Sequence, residues 1–170
     1  TPIRGDIAFK NVSFRYEDTG IEALKEVSFQ IEKGQTVAII GKTGSGKTTL
    51  LDLIARMYEA TEGEVCIDGQ PVQQLNLHSL REAISVVPQE NFLFSDTIRN
   101  NLRYGNNATD EEIVAACEKA VVHHNIVEFT HQYDSILGER GVSLSGGQRQ
   151  RVAIARALLK PAEIYLLDDC

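Results

Sequence analysis

Tryptophan is absent, methionine occurs once and cysteine three times in 170 residues. Cys66, Cys117 and Cys170 are odd in number and far apart, which excludes a disulfide framework and a zinc-ligand pattern. Incidental or buried thiols in a reducing cytosol are the expectation. Long apolar runs are missing as well. The longest, Ile113 to Cys117, is five residues, whereas a membrane span needs about 20. No charged stretch followed by an apolar core opens the chain, so no secretory leader is read. An excess of positive charge is also absent, the formal net charge being −7. Binding to a phosphate backbone requires a basic face, so free nucleic acid is excluded as the main partner. A nucleotide needs only a local cradle and stays open.

What is present is an ordinary globular balance, 42% hydrophobic and 24% charged. The length suits about one domain. No internal repeat, low-complexity tract or linker interrupts it. Ile7 to Phe14 reads as an exposed strand, and Val27, Phe29 and Ile31 alternate with polar residues as a second one. Lys33-Gly34 is a turn. Thr36 to Ile40 is short, apolar and β-branched, which predicts a fully buried parallel strand. A helix is expected from Thr48 to Met57. Gly63 to Gly69 reads as a strand ending in an Asp-Gly turn, and Ile84 to Val87 as a strand stopped by Pro88. Thr109-x-x-Glu112 and Ser145-x-x-Gln148 are capping boxes that open two helices. Pro161 closes the second of these, and Ile164 to Leu167 is a last buried strand. Strands alternating with helices predict an α/β fold with a mainly parallel sheet and an N-terminal antiparallel β-subdomain.

Between the apolar run at Thr36–Ile40 and the first expected helix lies Gly41-Lys42-Thr43-Gly44-Ser45-Gly46-Lys47-Thr48, which fits G-x-x-x-x-G-K-[ST]. Glycines let successive N–H groups converge on one anion, and the helix start adds positive potential there. Lys47 can reach β- and γ-phosphates, and the Thr48 hydroxyl can ligate Mg²⁺. This loop alone leaves kinases, GTPases and many ATPases open.

Leu144-Ser145-Gly146-Gly147-Gln148 narrows the choice, since its chance occurrence is about one in several thousand. Here the chain resembles the nucleotide-binding domain of ATP-binding cassette (ABC) transporters over essentially all its length. The resemblance implies a P-loop NTPase core with a helical subdomain carrying the signature motif, and ATP and Mg²⁺ as the bound groups. It places Tyr16 against adenine and Gly41, Thr43, Gly44, Ser45, Gly46, Lys47, Thr48 and Thr49 in the phosphate cradle. It makes Gln89, after Val86-Val87-Pro88, the glutamine that touches Mg²⁺ and faces the membrane domain. Ile164 to Asp168 then matches Walker B, with Asp168 holding Mg²⁺ through water. In the family two such domains pack head to tail, so Ser145, Gly147 and Gln148 would serve the opposite subunit's ATP. Gly138-Glu139-Arg140-Gly141 and Phe92 to Leu102 resemble exporters, which implies a transmembrane-domain partner on the Gln89 and Gly138–Gly141 face. The expected location is the cytoplasmic side of a membrane. A soluble ABC ATPase of DNA repair or translation fits the compact acidic chain less well.

Two departures qualify the resemblance. The residue after Walker B is usually a glutamate that polarises the attacking water; here it is Asp169. Its carboxylate would fall about 1 Å short, enough to cost about 10²-fold in rate. The expectations are an attenuated catalytic site, as in the regulatory half of a heterodimeric exporter, or an adequate base in a homodimer. Family chains also continue past the position of Cys170 with a D-loop and a switch histidine. None of His78, His123, His124 or His131 fills that place. Residues 1–170 are thus expected to be a partial domain, weak or inactive by itself. His123 and His124, adjacent on a helix, do not face one metal site.

Overall fold

The computed structural model describes residues 2–138 and 141–169. They form two compact units, one from residues 2–84 and 162–166, the other from 85–138, 141–161 and 167–169.

In the first unit β1 (Ile7–Arg15) pairs with β2 (Glu22–Ile31) and β3 (Glu62–Ile67), and β3 pairs with β4 (Gln70–Pro71). All pairings are antiparallel and the order is β2-β1-β3-β4. β1 is therefore central, not the exposed strand its sequence suggests, and Ile7, Phe9, Val12 and Phe14 are buried. Strict alternation would turn Phe9 and Val12 to opposite faces. The register shifts between them, where Asn11 takes φ 48°, and such a bulge re-aims the side chains that follow. Gly63 on β3 makes the bulge possible, because a Cβ there would sit 2.2 Å from Asn11 O.

The expected Asp68-Gly69 turn forms with φ 52° and 78°, the left-handed pair that suits the twist of a tight hairpin. The Asp68 carboxylate accepts hydrogen bonds from the backbone N–H groups of Arg4, Gly5 and Asp6 at 2.6, 3.0 and 3.0 Å. It thereby ties the N-terminal segment to the β3–β4 hairpin. α1 (Lys47–Ile54) lays Leu50, Leu53 and Ile54 into a core with Phe9, Val12, Phe14, Val65 and Ile67. This helix stops before the expected Met57. Arg56 turns left-handed at φ 51°, and Met57 N reaches back to Asp52 O at 2.8 Å, a Schellman-type stop. α2 (Leu77–Glu82), capped by Asn76, adds Leu80.

Thr36–Ile40 is not a strand. Val37 is 49% exposed and Ile40 94%. An apolar run becomes a buried strand only when a neighbouring backbone satisfies its N–H and C=O groups. Among the described residues no strand pairs with it. Parallel pairing is instead found in a two-stranded sheet of β5 (Ile84–Val87) and β6 (Ile164–Leu167). Ile164 N donates to Ala83 O at 3.1 Å and Asp168 N to Val87 O at 2.9 Å. Partners advance together along both strands, so the pair is parallel.

The second unit is mainly helical: α3 (Ile98–Arg103), α4 (Asp110–Lys119), α5 (His123–Val127) and α6 (Gly146–Leu159). Both predicted capping boxes form, Thr109 with Glu112 on α4 and Ser145 with Gln148 on α6. Lys160 is extended ahead of Pro161, as a residue before proline must be. The core joins Ile98 and Leu102 to Ile113, Cys117, Ile126, Leu144 and Val152, and Val87 packs on Ala153 and Ala157 of α6. Fully buried Asn101 accepts from Phe94 N at 2.7 Å and donates to Phe94 O at 3.0 Å and Thr97 O at 2.9 Å. It shapes the segment before α3. Cys66 and Cys117 are buried and unpaired; burial pushes the Cys117 thiol up to about 11, against a weaker opposing hydrogen bond with Tyr133. Cys170 lies outside the described residues. His123 Nδ1 is 2.8 Å from Tyr133 Oη, a packing role within this unit.

Asp68→Ala removes one charged acceptor from three N–H groups. It should lower the urea-unfolding free energy of the chain by about 1–3 kcal/mol, while Asp68→Asn, which keeps one acceptor oxygen, should lose less. Equal midpoints for Asp68→Ala and the parent would refute this account of the hairpin.

Candidate functional site: a glycine-rich loop and a bare helix start

The first unit carries the loop Gly41–Thr48. Residues 41–45 are exposed, while Gly46 and Lys47 are half-buried. Gly46 is the N-cap of α1, left-handed at φ 90°, with no side-chain cap. Only glycine fits: a Cβ would lie 2.5 Å from Ala23 O and 2.9 Å from Leu24 Cδ2. The first turn of α1 holds no acidic residue, so its N–H groups meet no competing negative side chain. By contrast, α2, α3, α4 and α6 are each capped by a side chain, whereas the five-residue α5 also lacks one. Lys47 Nζ donates to Gly41 O at 2.8 Å and Lys42 O at 2.9 Å, which holds the ammonium across the mouth of the loop. A cation, an uncapped helix start and a loop without carboxylates are a donor set for a polyphosphate.

Thr43 and Gly44 sit exposed on the loop crest and Thr48 is exposed at the helix start. Thr49, grouped with them by resemblance, is buried instead, and its Oγ1 is 2.9 Å from Tyr16 Oη. That bond ties the half-buried Tyr16 ring to the first turn of α1. The ring meets Phe14 and Tyr58 edge to face, with centroids 4.8 and 5.5 Å away.

In the second unit the structure brings Gln89 and Asp169 together: Gln89 Nε2 donates to Asp169 Oδ2 at 3.3 Å. Asp168 ends the β5–β6 ladder through its N–H. Asp169 then turns left-handed at φ 50°, a conformation that aspartate accepts better than most residues. Gln150, which no sequence pattern singled out, donates from Nε2 to Asp169 O at 2.9 Å. A glutamine two positions beyond a capping box reads as an ordinary helix surface residue, so only the fold reveals this bond.

The signature residues open α6. Ser145 Oγ accepts from Gln148 N at 3.2 Å, and Gln148 Oε1 accepts from Ser145 N at 2.9 Å. Gly146 and Gly147 have open surroundings: a Cβ on Gly146 meets nothing within 4 Å, and one on Gly147 meets only Arg151 Nη1 at 3.6 Å. The fold does not require either glycine, although each costs the helix up to about 1 kcal/mol relative to alanine. Glu139 and Arg140 lie outside the described residues.

The oxygens of Thr48, in the first unit, and of Asp168, in the second, suit a hard cation. Among the described residues no group of three or more His, Cys, Asp or Glu could hold a metal ion.

A glycine-rich loop leading into a bare helix start, on an α/β scaffold, defines a P-loop nucleotide-binding domain. The family model described as ABC transporter matches residues 24–170, and the chain belongs to that family. It is 50% identical over 167 residues to ATP-binding cassette sub-family B member 6 of Mesocricetus auratus, covering 98% of this chain and 20% of that protein. It is 46% identical over 170 residues to heavy metal tolerance factor 1 of Caenorhabditis elegans, covering 99% and 21%. A solved structure of a bacterial Atm1-family ABC exporter with ATP bound matches with a TM-score of 0.91 at 41% identity, over 99% of this chain and 30% of that one. The chain thus spans between a fifth and a third of the length of these relatives. No helix among the described residues is long and apolar enough to cross a membrane.

Lys47→Ala should weaken binding of a fluorescent ATP analogue with Mg²⁺ by about 10- to 100-fold, the worth of a lost charged hydrogen-bond donor. Unfolding should be nearly unchanged, because the Lys47 ammonium bonds carbonyls of its own loop. Equal affinity in parent and variant would remove the loop as the phosphate site.

Proposed function

We propose that this chain is the ATP-driven module of a membrane exporter, working on the cytoplasmic face as one of two nucleotide-binding domains packed head to tail. The observation that carries this reading is the pair of glycines, Gly146 and Gly147, kept where the chain's own packing does not need them. Bare glycines at a helix start leave room for the close approach of an anion from outside the chain. In a head-to-tail pair that anion is the γ-phosphate held by the partner's loop, so ATP joins the two domains and hydrolysis releases them. The likeness to a bacterial Atm1-family ABC exporter supports the exporter direction. So does an exposed aromatic cluster following Gln89: Phe92 is 66% and Tyr104 63% exposed, and Phe94 lies between them with centroids 5.0 and 4.7 Å away. A patch of that kind suits a protein partner, here the transmembrane domain.

With nucleotide bound, Lys47 and the start of α1 would hold the phosphates and Tyr16 would pack against the base; Thr48, Gln89 and Asp168 are the residues that would ligate Mg²⁺. The metal supplies Lewis-acid neutralisation of charge developing on the phosphates. Gln89 and Asp169 orient the attacking water. Asp169 reaches less far than a glutamate and already shares its carboxylate with Gln89, so hydrolysis at this chain's own loop is attenuated. The same observation favours a second reading, in which the chain is the regulatory half of a heterodimer and most turnover occurs at the partner's site.

Gly147→Ala should leave ATP binding by the Lys47 loop within about twofold yet abolish ATP-dependent dimerisation, read by light scattering on the full-length protein; dimers that persist would oppose the head-to-tail role. Asp169→Glu in the same protein should raise the hydrolysis rate about tenfold or more, up to about 10²-fold if misplacement is the whole deficit. A rate that does not rise would end the attenuation reading.

A further inference from the structure

Asp169 is held at two points by two glutamines from different elements. Gln89, just after β5, donates to its carboxylate at 3.3 Å, and Gln150, on the second turn of α6, donates to its carbonyl at 2.9 Å. Between these two grips the backbone is left-handed, φ 50°. The preceding N–H, that of Asp168, is anchored on Val87 O at 2.9 Å. A single-residue turn of this kind has few bonds of its own, so the direction of the carboxylate depends on what fixes the carbonyl.

We infer that Gln150 is a positioning residue, which aims the Asp169 carboxylate and links it to the helix start that carries the signature. The inference rests on the reading of Asp169 as the group that orients water. The linkage is short and rigid. Gln148 closes the cap at the start of α6, and Gln150 lies two residues further along the same helix. Behind it Val152, Ala153 and Ala155 are buried, so a displacement at the cap moves the Gln150 amide with the helix. A domain approaching the bare glycines of α6 would thereby shift the carbonyl of Asp169 and, through the turn, its carboxylate. Gln150 suits this role because its amide donates to a neutral carbonyl without adding charge beside a carboxylate.

The test uses full-length protein and compares Gln150→Leu with Gln150→Glu, which keeps the shape but loses the donor, each alone and combined with Asp169→Asn. The expected result is that both Gln150 variants lower kcat about tenfold with the KM for ATP unchanged, and that neither lowers it further once Asp169 is Asn. Hydrogen exchange at Asp168 and Asp169 should quicken in both, with thermal unfolding unaltered. A kcat loss of equal size in the Asp169→Asn background would show that Gln150 acts elsewhere and would overturn the inference. Unchanged kcat together with unchanged exchange would overturn it too. Should Asp169→Asn itself leave kcat intact, the reading of Asp169 fails, and exchange alone decides for Gln150: quickened exchange upholds its hold on the turn, and parental exchange refutes it.

Discussion

A helix cannot satisfy its own first N–H groups, and this chain meets that constraint in two contrasting ways. At α4 the solution is internal: a capping box and three acidic residues in the first turn. At α1 it is withheld: a glycine N-cap, no side-chain cap, no acid, and a lysine bonded across the loop. The start of α4 is satisfied by the chain's own side chains, whereas that of α1 is left uncapped. α6 lies between the two, capped by Ser145 and Gln148 but lined by glycines in open space.

The packing around each start follows from that division. Gly46 can sit against Ala23 O and Leu24 because it has no Cβ, which brings the loop close to β2. The Thr49 hydroxyl bonds Tyr16, so the residue that follows β1 is held beside the helix that carries the loop. In the second unit, α6 is seated by Val152 and Ala155 in one apolar cluster and by Ala153 and Ala157 against Val87 in another. Its first two turns carry the signature and, through Gln150, reach Asp169. The candidate functional residues thus sit at the ends of elements whose middles form the cores.

Asp169 is where local conformation and chemistry meet. Its left-handed backbone favours a short polar side chain, whereas orientation of a water would favour a longer reach. The two preferences pull in opposite directions, and the two glutamine bonds hold the compromise in place.

Local rules made a good part of this legible in the chain itself. The G-x-x-x-x-G-K-T loop, both capping boxes, the Asp-Gly turn and the strand at Ile164–Leu167 depend on residues within a few positions of one another. Spacing alone therefore identifies the loop and the signature. Tertiary pairing decided the rest. The central place of β1 required partners on both edges. Its bulge at Asn11 needed the missing side chain of Gly63 on another strand. Thr36–Ile40, apolar and β-branched, remained outside any strand because strand formation belongs to two backbones rather than one. Gln150 and Thr49 acquired their partners, Asp169 and Tyr16, across long stretches of chain, and a contact between distant residues leaves no periodicity in the sequence to read.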